Sequence, residues 1–225
     1  MTATTVLADL DARLAAIPAR NTACVRGVRR VLSRNLRSAP KELVRALAFA
    51  LTARDAEFDR FIAAELLAAH PQASQCLDRD DLRRLGRGMD SWGDVDVFAC
   101  ILAGPAWRMN RVPDAEFRRW ARSPDRWWRR AAVVSTVPLN NRARGGTGDA
   151  ARTLWLCRHV LADRDPMVIK ALSWALRELG KRDPASVRDF LAAHDSQVPA
   201  LVRREVRTKL STGRKASPHQ RRAGV

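Results

Sequence analysis

Residues 165–184 read DPMVIKALSWALRELGKRDP, and this stretch decides the fold. Asp165 precedes Pro166 and Asp183 precedes Pro184. In each case an acid can cap free helix amides beside a proline whose fixed φ suits a first helical turn. Between these marks Leu172, Ala175, Leu176 and Leu179 recur at the spacing of a buried helix face, while Lys170, Trp174, Arg177 and Lys181 share the opposite stripe. The same punctuation stands at Ser123-Pro124 and, more weakly, at Ala39-Pro40-Lys41-Glu42. From Pro124 to Pro166 is 42 residues, close to the ~40–47 of a HEAT or armadillo unit, and each interval holds two helices.

Working outward, the chain has no tyrosine and few alternating β-branched runs, whereas Ala, Leu and Arg return at helical spacing throughout. Helices are expected at 7–16, 22–36, 40–53, 55–69, 79–88, 91–103, 114–122, 124–136, 148–162, 166–179, 184–194 and 198–210. A helix pair cannot bury its apolar side alone, so stacked pairs supply the core and leave a long curved surface. The expected fold is all-α, a HEAT-like helical repeat solenoid with a concave basic face. It forms one domain over 1–210, followed by a disordered basic tail over 211–225 that carries Arg214, Lys215, Arg221 and Arg222. Residues 138–149 are the most loop-like interior segment, with two arginines and three glycines. They are either an exposed connector or a place where backbone amides approach a phosphate.

The formal net charge is +17, and it is uneven: residues 1–80 hold 12 Lys/Arg against 9 Asp/Glu, residues 81–225 hold 29 against 15. Nearly all of the cations are arginine, whose planar fork grips a phosphate through two hydrogen bonds, so nucleic acid outranks an acidic membrane as partner. Cys24, Cys76, Cys100 and Cys157 are far apart, without a CxxC pair or a neighbouring His cluster. They read as small core residues in a reducing compartment. The start of the chain lacks a signal-peptide pattern, and no apolar run approaches the ~20 residues that cross a bilayer. A cytoplasmic, nucleoid-associated monomer without membrane contact is expected.

Three segments place aromatic and charged residues on one helical face. In Ser91-Trp92-Gly93-Asp94-Val95-Asp96, Trp92 and Asp96 are four apart and project side by side, over a stripe of Val95, Phe98, Ala99 and Leu102. Taken alone, a WxxxD pattern reads more readily as a core anchor with a solvated or paired acid. In Asp125-Arg126-Trp127-Trp128-Arg129-Arg130, Trp127 and Arg130 share a face. Two adjacent tryptophans on a helix cannot point the same way, so one faces the core. Arg130 suits either a phosphate or an acid on the next helix. On the third segment, a tryptophan among Lys170, Arg177 and Lys181 suits stacking or cation-π contact beside a phosphate grip. His70, His159, His194 and His219 have no metal-ligand spacing, and there is no GxSxG, P-loop or Rossmann fingerprint. No metal and no cofactor is expected.

Together the three segments, with Asp183-Pro184 after the third, resemble the AlkD family of DNA alkylation repair enzymes over about residues 85–210. The resemblance implies a HEAT-like solenoid that excises cationic lesions such as 3-methyladenine and 7-methylguanine from duplex DNA without flipping the nucleotide. It implies Asp96 as the catalytic carboxylate, Trp92 and Trp174 as the aromatic pair flanking the lesion's sugar and backbone, and Arg130 as a phosphate contact. Trp127, Lys170, Arg177 and Lys181 complete the expected DNA surface. A monofunctional alkylpurine glycosylase is the leading reading. Its rivals are a non-catalytic HEAT-like nucleic-acid-binding protein and a protein-binding scaffold.

Overall fold

The computed structural model describes residues 2–54 and 56–214, and these are all-α with no strand among them. They form helix pairs of the helical-repeat solenoid class. Two compact units divide at Val112/Pro113. The first contains α1 (Ala3–Ala16), α2 (Thr22–Asn35), α3 (Lys41–Arg54), α4 (Asp59–Ala69), α5 (Arg79–Gly86), α6 (Trp92–Phe98) and α7 (Gly104–Arg108). The second contains α8 (Asp114–Ala121), α9 (Arg126–Val134), α10 (Val137–Asn140), α11 (Ala150–Arg158), α12 (Pro166–Leu179), α13 (Pro184–Ala193) and α14 (Ala200–Thr212).

In the first unit α4 is the central element, packed on α2, α3 and α6 through Ile62, Ala63, Ala64, Leu66 and Leu67. The helix starts at Asp59 instead of 55 because Phe58 is in the left-handed region, at φ 68°. Asp59 is only 1% exposed, and Arg54 donates to both of its oxygens at 2.7 and 2.9 Å while also gripping Asp11 of α1. One arginine thereby ties three helices. Helix α1 begins earlier than expected, since Thr2 and Thr5 form a reciprocal cap at its N-terminus.

The expected helix 91–103 does not stop at 103. After α6 the chain widens into a π turn over Ala99–Ala103, with the Gly104 amide bonded to Ala99, and continues as α7. Pro105 explains both the expectation and the outcome. Its ring presses on the carbonyl one turn back and it has no N–H to donate, which ordinarily ends a helix. The wider turn absorbs the misfit and lets the helix run on.

In the second unit α12 is covered by α9 on one side and α14 on another, and also touches α10 and α11. Its buried residues run most of the way round: Val168, Ala171, Leu172, Ser173, Ala175, Leu176, Glu178 and Leu179. The caps at Asp165 and Asp183 form as expected, accepting from the Met167 and Ser186 amides. At Ser123-Pro124 the start moves by two residues: Asp125 caps α9, accepting from the Trp127 amide at 2.8 Å. Ser211 and Thr212, expected in the tail, complete α14, and Gly213 at φ 69° ends it. The tail from residue 215 lies outside the described residues.

Segment 138–149 is neither a bare connector nor an open amide cradle. Pro138, Leu139 and Asn140 are buried in α10, a 3-10 turn spans Arg142–Arg144, and Gly146 is buried. A β-carbon on Gly146 would collide with the Pro138 carbonyl oxygen and stand 2.7 Å from the Leu139 backbone. Backbone yields little, so Gly146→Ala is expected to cost about 1–3 kcal/mol, measured by denaturant unfolding. Wild-type stability would show that the loop is free to shift.

Candidate functional site

Helix α6 presents the first group. Ser91 caps it, accepting from the Asp94 amide at 3.1 Å and donating to the Asp94 carboxylate at 2.8 Å. This ties down Asp94, which also lines an interior cleft with Thr52, Arg60, Phe98 and Leu102. Trp92 and Asp96 each stand two residues, about 200° of helix rotation, from Asp94, and only about 40° from each other, so they share the other side. Trp92 is 62% exposed, which removes the core-anchor reading, and Asp96 is half-buried one turn along. Val95, Phe98, Ala99 and Leu102 form the buried stripe as expected. A β-carbon on Gly93 would make only ordinary contact, 3.6 Å from the Ser91 hydroxyl, so packing does not demand glycine there.

The second group lies on α9 and α12, which pack against each other. Trp128 is the core-facing member of the tryptophan pair, its ring 4.9 Å from that of Trp120. Trp127 is half-buried beneath the Arg126 guanidinium, 4.7 Å from its ring centre, and Arg126 stands 3.7 Å from Asp165. Helical spacing alone does not pair Arg126 with Trp127, because adjacent residues do not normally face each other on a helix. At the first turn a long side chain folds back over its neighbour.

Arg130 is only 6% exposed, and its Nη1 donates to the Met167 carbonyl of α12 at 2.6 Å. The sequence offers Arg130 a phosphate or an acid, and the backbone carbonyl is a further kind of partner. On α12, Lys170 is exposed and Trp174 half-buried. Arg177 donates to Ser173 at 3.2 Å and stands 3.8 Å from Glu205 of α14. Burial pulls its pKa down, and the charges of Glu205 and Glu178 push it back up. Lys181 bonds Glu178 at 2.7 Å, and the other Glu178 oxygen accepts from Asn141 at 2.9 Å. The stripe is therefore less cationic than its sequence: two of its three cations have carboxylates beside them. The Glu178–Lys181 pair stands at i,i+3, a spacing that the sequence itself displays.

Other candidate groups have structural duties. His70 bonds the Ala39 carbonyl through Nε2 and accepts from the Gln72 and Ala73 amides through Nδ1. Burial lowers the His159 pKa, helped by Arg122 and Arg118. Burial pushes the Cys157 thiol up to about 12, which leaves it without thiolate character at neutral pH. Among the described residues no group of three His, Cys, Asp or Glu could hold a metal ion. No helix there is long and apolar enough to cross a membrane.

An all-α chain with an exposed indole beside a carboxylate on one helix, and indoles among cationic side chains on two others, belongs to a definite class. The DNA alkylation repair enzyme family matches residues 21–210, and the chain belongs to that family. No curated protein and no solved structure matches it.

The part-buried bond between Arg130 and Met167 gives Arg130 a structural duty in the DNA-free protein. Arg130→Met should lose about 1.5–3 kcal/mol, the usual worth of a hydrogen bond to a charged group. Denaturant unfolding without DNA measures it. A wild-type midpoint would show that the bond does not join α9 to α12 in any consequential way.

Proposed function

We propose that this DNA alkylation repair enzyme is a monofunctional glycosylase that hydrolyses the N-glycosidic bond of cationic N3- and N7-alkylpurines in duplex DNA, without base flipping. The observation that carries the reading is Trp92, a large indole left 62% exposed one helical turn from Asp96. A soluble protein gains nothing in stability from such exposure, and a flat π face suits a sugar or a cationic base.

The chemistry asks little of the protein. An N3- or N7-alkylpurine already carries a positive charge and leaves as a neutral base, so no general acid is required. The barrier lies in the positive charge that grows on the sugar as the bond breaks. Asp96 stabilises that charge and orients the water that attacks the anomeric carbon, the carboxylate taking up the water's proton. Trp92 and Trp174 flank the lesion's sugar and backbone, each favouring nearby cationic character by roughly 0.5–2 kcal/mol. With no lysine assigned as nucleophile, strand cleavage does not follow base release. Trp127, Lys170, Arg177 and Lys181 form the DNA surface. Arg130, oriented by the Met167 carbonyl, adds a phosphate contact that requires the backbone to come down onto α9 and α12. In this reading the protein works as a monomer in the cytoplasm, at the nucleoid.

Asp96→Asn tests the catalytic assignment, because amide and carboxylate have nearly the same shape. Single-turnover release of 7-methylguanine should fall by roughly a hundred- to a thousandfold, the usual loss of about 2.7–4 kcal/mol for a removed transition-state charge partner. Duplex affinity should hold or tighten. A wild-type rate would remove Asp96 from catalysis, and inactivity of both proteins with strong binding would point to a non-catalytic nucleic-acid binder.

Lys170, exposed on α12, tests the surface. Lys170→Ala should lower the log-log salt slope of duplex binding by about 0.9, equally for damaged and undamaged DNA. An unchanged slope would take Lys170 off the interface.

A further inference from the structure

Between α10 and α11 the chain makes a loop in which every glycine amide is spent on the loop's own carbonyls. The amides of Gly145, Gly146 and Gly148 bond the carbonyls of Arg142, Asn141 and Leu139 at 2.9–3.0 Å. Asn140, 1% exposed, donates to the Thr136 carbonyl and the Thr153 hydroxyl and accepts from the Asp149 amide. Arg182 closes the far side, donating to the carbonyls of Asn140 and Gly146 at 3.0 and 3.3 Å. With the glycine amides committed, the anion cradle that three glycines suggest is not what the loop offers.

What the loop holds outward is Arg142 and Arg144, both exposed at the ends of the 3-10 turn. The Arg142 guanidinium has no carboxylate partner among the described residues. In a 3-10 turn each residue advances about 120°, so side chains two apart fan out by about 120° and do not converge on one point. The turn is also fixed against α12: Asn141, the residue before it, bonds the same Glu178 carboxylate that holds Lys181. The stripe of Lys170, Trp174, Arg177 and Lys181 thus leads at its C-terminal end directly to two more cations.

We propose that the 138–149 loop is a rigid arginine platform that seats two separate nucleic-acid phosphates, one on Arg142 and one on Arg144, extending the α12 surface past the end of the helix. This rests on the DNA-binding reading above. A mobile arginine loop would lose conformational freedom on binding, and this one is ordered before DNA arrives, so less is lost. Nothing in the contact reads a base, and the platform acts alike on damaged and undamaged duplex.

The test uses the full chain and an undamaged 20-base-pair duplex, with affinity followed by fluorescence anisotropy across a potassium chloride series. Arg142→Ala and Arg144→Ala should each reduce the log-log slope by about 0.9, and the double variant by about 1.8. The double Arg→Lys variant should keep the slope, which a purely structural role would not require. Asn141→Ala retains both charges but frees the turn from Glu178, so the slope should stay and the dissociation constant should rise several-fold. Unfolding midpoints identify any variant that has lost its fold. If the wild type has a steep slope and the folded double alanine variant shares it, the platform is refuted and the DNA reading stands. If the wild type has no steep slope, both fall. An Asn141→Ala affinity equal to wild type refutes the rigid anchoring.

Discussion

A helix as apolar as α12 is stable in water only when neighbours cover it on more than one side, and the second unit is arranged to meet that need. Val168, Ala171, Leu172, Ala175, Leu176 and Leu179 require cover, and α9 and α14 supply it. Part of what is proposed for function in this unit lies beside that cover: Lys170 is exposed, Trp174 is half-buried, and the loop after α10 is pinned where α12 ends. Loss of the α9–α12 contact would therefore disturb stability and surface together, which is why the Arg130 bond to Met167 has consequences for both.

A second constraint comes from arginine itself. With a net charge of +17, self-repulsion opposes the compact state. Many of the cations are placed where the fold uses them. Arg54 joins α1, α3 and α4 through Asp11 and Asp59, Arg45 grips Asp81 at 2.6 and 2.8 Å, and Arg129 bonds Asp163 at 2.6 Å. Arg182 uses its guanidinium as a double donor to loop carbonyls. Pairs in which one partner is buried cost desolvation to form, but breaking them strands a charge, so they act more to specify the packing than to add stability. The arginines left for a polyanion are fewer than the composition suggests, and Lys170 and Arg142 are among the exposed cations with no carboxylate beside them in the described residues.

The proposed chemistry and the architecture place compatible demands on one another. A leaving group that is already cationic needs no proton donor, so a site without a histidine, a metal cluster or an activated cysteine is adequate for it. It needs a carboxylate held still and aromatic faces that are not buried. The cap formed by Ser91 and Asp94 stiffens the first turn of α6, and that turn bears Trp92. The π turn forced by Pro105 lies immediately after, so the helix that carries Asp96 is continuous with α7 instead of ending in a mobile loop.

Much of this was legible in the residues alone. Asp-Pro caps, the apolar period of 166–179 and the absence of strand signals dictate helix pairs, because capping and periodicity are local and depend on a few neighbouring side chains. The adjacency of Trp92 and Asp96 follows from helical spacing in the same way. Local rules did not reveal that Pro105 is absorbed in a π turn, that Trp128 faces Trp120 while Trp127 lies under Arg126, or that Arg130 spends a donor on a backbone carbonyl 37 residues away. Nor did they show that the glycine-rich loop closes on itself and leaves its arginines outside. An arginine has the same sequence signature whether it meets a phosphate, a carboxylate or a carbonyl. Which it meets is decided by the groups that distant segments bring within about 3 Å, and only the tertiary structure sets those distances.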